Sequence, residues 1–139
     1  MFHGIAHRKL SALAFVGVLS LGACSAAAAT ESAAPAGPTG GWLTLQLTTP
    51  RTDDGAVQLS VSGPQVDSVK LAGYDGFDTN SGTQVDLVAT GNITSGNIAL
   101  IYVPDLSRTG EYHASVSAAA SRDSYALQAI DGYRAVLVR

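Results

Sequence analysis

From residue 41 onward the chain alternates apolar and polar positions with a period of two. Leu43, Leu45 and Leu47 alternate with Trp42, Thr44, Gln46 and Thr48, as in a strand with one buried face. Pro50 to Gly55 is turn-rich, with Asp53-Asp54-Gly55 a turn or, less simply, a pair of ligands. Val57, Leu59 and Val61 then alternate with Gln58, Ser60 and Ser62, and Gly63-Pro64 ends this second strand. Val69 and Leu71 mark a third strand, and Val85, Leu87 and Ala89 a fourth. Asn97 to Val103 is apolar on both faces, which predicts a central strand covered on both sides. Tyr112, Ala114, Val116 and Ala118 alternate with Glu111, His113, Ser115 and Ser117. A short strand at Tyr125 and Leu127 and a last one from Tyr133 to Val138 complete the series. No helical stripe follows residue 41. About eight short strands at turn spacings of roughly 8–12 residues predict an all-β fold, two antiparallel sheets packed as a sandwich.

The N-terminal third follows a different pattern. His7, Arg8 and Lys9 precede an apolar run from Leu10 to Leu21 interrupted only by small residues. A basic start, a short apolar segment and small residues beyond it form a secretory signal over residues 1–23. The run falls short of the roughly 20 residues that a spanning helix needs. It closes on Leu21-Gly22-Ala23-Cys24, which contains the only cysteine. This ending resembles the lipobox of bacterial lipoproteins. The resemblance implies cleavage between Ala23 and Cys24, a thioether-linked diacylglycerol on Cys24, and a further acyl chain on the new amino group. Each buried methylene contributes about 0.8 kcal/mol, so two or more chains anchor durably. The alternative is an ordinary secretory signal, cut among Ala26 to Ala29, which would release a soluble protein.

Residues 24–40 contain Ala, Ser, Thr, Pro and Gly with Glu31 the single charge. No apolar periodicity appears, and Pro35, Gly37, Pro38, Gly40 and Gly41 break a helix. This is a flexible tether between lipid and domain; an Ala-rich helix from Ala26 to Ala34 would be short and marginal. Residues 41–139 are the β domain, of a size typical for one core.

Composition narrows the partners. Removal of Arg8 and Lys9 leaves six of eight basic side chains against eleven acidic ones, a formal charge of −5. A mildly acidic chain without a basic run is not built for nucleic acid or anionic headgroups. The lipid, then, is what holds the protein to its membrane.

The mature part is similar in order and tempo to cohesin-like sandwich modules of bacterial surface proteins. The resemblance rests on Leu43 to Leu47, Asp54 to Val61, Gly96 to Val103 and Gly132 to Val138. It implies an immunoglobulin-like or cohesin-like β-sandwich. The cysteine pair and central tryptophan of antibody domains are absent, and Trp42 stands at the domain's start.

Candidate chemistry is sparse. His113 is the only histidine after the signal, and its alternation puts it on the solvent side with Glu111 and Ser115. With no Gly-x-Ser-x-Gly and no Cys or His ligand set, triad and zinc chemistry lack parts. The chain is expected not to be an enzyme. A loop from Tyr74 to Thr83 is the candidate binding site: Tyr74 and Phe77 could stack on a sugar or peptide, beside Asp75, Asp78 and Asn80. Asp78 and Asn80 alternate like the start of a calcium loop, but Ser81-Gly82 supplies no third ligand. The same residues suit a hairpin connection, so no cofactor is expected. Asn92-Ile93-Thr94 fits a glycosylation sequon, which carries little weight behind a bacterial lipoprotein signal.

These features point to a lipid-anchored, extracytoplasmic module of a cell or outer membrane, which binds an envelope protein or a glycan through its loops. The alternative is a structural subunit that associates with other copies through its sheet edges.

Overall fold

Alternation of Leu, Val and Ile with polar residues leaves each strand one apolar face, and two sheets bury those faces against each other. The computed structural model describes residues 36–139; Ala23, Cys24 and most of the expected tether lie outside them. The strands are β1 (Gly41–Thr48), β2 (Asp54–Ser62), β3 (Ser68–Leu71), β4 (Asp75–Asn80), β5 (Gln84–Thr90), β6 (Gly96–Val103), β7 (His113–Ser121), β8 (Leu127–Gln128) and β9 (Arg134–Val138). They form a four-stranded sheet, β3-β6-β1-β9, and a five-stranded sheet, β4-β5-β2-β7-β8. Every pairing is antiparallel, and the fold is the expected all-β sandwich.

One core lies between the sheets. Leu43, Leu45 and Ile101 meet Val57, Leu59, Val61, Val85 and Leu87, all essentially inaccessible. Each such side chain contributes on the order of 1.5–3 kcal/mol. Tyr112 closes one end: its hydroxyl donates to the Gln65 carbonyl at 2.6 Å.

The strand count is nine rather than eight, because β4 occupies the stretch expected as a loop. Its backbone pairs with β5 from Asp75↔Thr90 to Asn80↔Val85. All six of its residues are exposed, so no burial alternation marked it. Gly76 permits the pairing: a Cβ there would lie 1.9 Å from the Val88 carbonyl oxygen.

β6 is covered on one face only. The β1–β6 register passes from Leu45↔Ala99 to Gln46↔Asn97, leaving Ile98 as an extra residue. This bulge turns both Ile98 and Ala99 inward. Leu100 and Tyr102 then face outward, half-buried, with Trp42 set edge-on against Tyr102 at a centroid distance of 5.2 Å. A short 3-10 helix, Leu106–Glu111, links β6 to β7 and is capped by Asp105, which accepts from the Ser107 amide at 2.9 Å. Thr39, ahead of β1, accepts from the Leu106 amide at 2.8 Å.

Candidate functional site

The outer face of the five-stranded sheet follows from its register. Phe77↔Val88, Val88↔Gln58 and Gln58↔Ala118 form one row across it. Thr90↔Ala56, Ala56↔Ala120 and Ala120↔Leu127 form the next. Directly paired residues share a face, so these rows make a mostly apolar half-face floored by Ala56, Val88, Ala118 and Ala120, with Gln58 exposed among them and Asp75, paired with Thr90, at the β4 end. Phe77 rises at one edge, 64% exposed, and Leu127 at the other, 82% exposed. The other half of the face is polar. Ser60 donates to Asp86 at 2.6 Å, and the Gln84 amide donates to the second Asp86 oxygen at 3.1 Å. The shallow depression beside β8 is lined by Ala56, Val57, Gln58, Val88, Ala118, Ala119, Ala120 and Leu127.

The five residues expected to share one binding loop are separated by the strand. Phe77 projects onto the outer face, opposite Val88. Tyr74 instead packs against the core, so the two rings form no joint stacking platform. Asp75 pairs with Thr90, whose hydroxyl donates to the Asp75 carbonyl at 3.2 Å. Asp78 pairs with Leu87 and alternates away from Phe77. The Asn80 amide donates to the Val66 carbonyl at 3.1 Å and accepts from the Gly82 amide at 2.8 Å, closing the β4–β5 turn. Among the described residues no three His, Cys, Asp or Glu side chains come together as a metal cluster.

Two further expectations are corrected. Asp54 is not a turn residue or ligand: it opens β2 with no accessible surface. Its carboxylate accepts from the Thr49 hydroxyl at 2.5 Å and from the Tyr133 hydroxyl at 2.6 Å. The Tyr133 proton goes to that carboxylate, and the Gln128 amide lies 2.9 Å from the same phenol oxygen. Tyr125 is not on a strand but in the turn after β7, with φ 54° and its ring exposed. His113 is exposed on β7, as its alternation predicts.

Alternation predicts Ala118 on the apolar face of its strand with Tyr112, Ala114 and Val116. The β2–β7 register passes from Leu59↔Val116 to Gln58↔Ala118, and this bulge at Ser117 turns Ala118 and Ala120 to the outer face instead. No helix among the described residues is long and apolar enough to cross a membrane. Comparison with protein families, curated proteins and solved structures finds no match to this chain.

Proposed function

We propose that this chain is a non-catalytic cell-envelope lipoprotein, held by lipid on Cys24 at a cell or outer membrane. Its β-sandwich docks a partner protein on the outer face of the five-stranded sheet. The observation that carries this reading is the apolar half-face between Phe77 and Leu127, where large side chains stand exposed beside a small-residue floor. A contiguous exposed apolar patch rimmed by polar residues marks an interaction site more often than bare surface. A protein suits the surface better than a glycan, because Ala and Val make up most of the floor, with Gln58 its one amide, and Phe77 is a lone ring there. The lipobox supports the location, and the two-sheet antiparallel form is compatible with kinship to cohesin-like surface modules.

The test is a photo-reactive residue at Phe77 or at Leu127 in the full chain, irradiated in intact cells, with Ser124 as the control position. One discrete protein adduct is expected from both face positions, lost when Ala118→Arg blocks the floor. Adducts indistinguishable from those at Ser124 would overturn the reading.

A further inference from the structure

The two sheets differ in charge. The strands of the five-stranded sheet carry Asp54, Asp75, Asp78 and Asp86 and no Lys or Arg. Those of the four-stranded sheet carry Lys70 and Arg134 and no acidic residue. Among the described residues the one ion pair is Arg108–Glu111, which lies in the 3-10 helix, so neither sheet's charges are matched by the other's. Apart from buried Asp54, they stand on opposite sides of the sandwich or at its edges.

Both outer faces are also partly apolar. The four-stranded sheet presents Trp42, 44% exposed, and Val136, 47% exposed. Between their rows runs a row of Lys70, Leu100, Thr44 and Val138. The sheet edges are poor places for association, because β3, β4 and β9 each carry a charge that disfavours adding a strand and β8 is only two residues long. The faces are the better surfaces.

We propose that the domain associates head to tail, the basic outer face of the four-stranded sheet on the acidic outer face of the five-stranded sheet of a second copy. This rests on the reading that the Phe77–Leu127 face docks a protein, and it names that protein. Unlike faces make a heterologous contact, which propagates into an open chain unless its rotation closes a ring. Strand spacings of ~4.8 Å and rises of ~3.3 Å per residue give the smaller face roughly 400 Å². The contact then buries about 800–1,000 Å² in all, at the small end for specific interfaces. Such a contact is weak between free molecules. Attachment to a shared membrane raises the effective concentration and favours it.

The test uses the full chain in intact cells and a short thiol-reactive crosslinker, with Thr44→Cys on one face and Gln58→Cys on the other. The double variant is expected to give a ladder of dimers, trimers and longer species, and each single variant no more than the unsubstituted chain. Lys70→Glu with Arg134→Glu reduces the ladder about tenfold by setting like charges together. Adding Asp75→Lys and Asp86→Lys to the same chain restores it, which a merely misfolded variant would not do. A double variant that stays monomeric overturns the inference, as do dimers from either single variant, which indicate two-fold pairing. If the Phe77 photo-adduct to a different protein persists without a ladder, head-to-tail association fails and the docking reading stands. Loss of both overturns both.

Discussion

The Tyr133 hydroxyl donates to the buried Asp54 carboxylate at 2.6 Å, joining positions 79 residues apart. Asp54 begins β2 in one sheet, and Tyr133 immediately precedes β9 in the other. With Thr49 donating to the second carboxylate oxygen, the acid is stabilised where desolvation alone would be costly. The bond therefore clamps the C-terminal strand to the opposite sheet.

Tyr133→Phe removes one charge-assisted hydrogen bond while keeping the ring. A loss of about 1.5–3 kcal/mol is expected, read as a lower urea midpoint with an unchanged slope. A change below about 0.5 kcal/mol would show that the clamp contributes little.

The same bond sets an alkaline limit. Burial first, and the Asp54 hydrogen bond second, push the Tyr133 phenol above its ordinary value of 10.0. The folded state thus holds this proton more tightly than the unfolded chain does. The resulting stability is fully present below pH about 10 and is lost as pH rises through the folded value. Thermal midpoints measured across that range should decline for the native chain and decline less for Tyr133→Phe.

Gly76→Ala places a methyl group against the Val88 carbonyl oxygen at a φ of +156°. β4 must then detach from β5 or shift along it, at a cost of about 2 kcal/mol or more. Amide exchange should show lost protection from Asp75 to Asn80 and near-native protection in β2. Uniform protection throughout would refute the close-approach argument.

Phe77→Ala with Leu127→Ala separates docking from folding. Both side chains are exposed, so stability should move by no more than about 0.5 kcal/mol. Crosslinking to the docked protein should fall tenfold or more, the loss expected when anchoring side chains are truncated. Unchanged crosslinking would remove this face from the account.

The buried strands were legible because burial on one face writes itself as alternation, as at Leu43, Leu45 and Leu47. β4 was not, since Asp-Gly-Phe-Asp-Thr-Asn is poor in strand formers and an exposed edge imposes no apolar face. The double-sided look of Asn97 to Val103 came from a bulge that turns two successive residues inward. Asp54 read as a turn residue because its hydroxyl partner Tyr133 arrives only with the tertiary fold. The mostly apolar outer face was hidden for a related reason. Alternation gives each strand two faces but not its neighbours, so Phe77, the alanines and Leu127 became one surface only when the strands were ordered. The charge difference between the sheets emerges at the same step.

Location remains the premise of the whole functional account, and the mass of the mature N-terminal peptide tests it most directly. Purified from its native membrane, the chain should begin at Cys24 and carry a thioether-linked diacylglycerol with a further acyl chain on its amino group. An unmodified N-terminus near Thr30 would contradict the lipid anchor and make the domain a freely diffusing secreted protein.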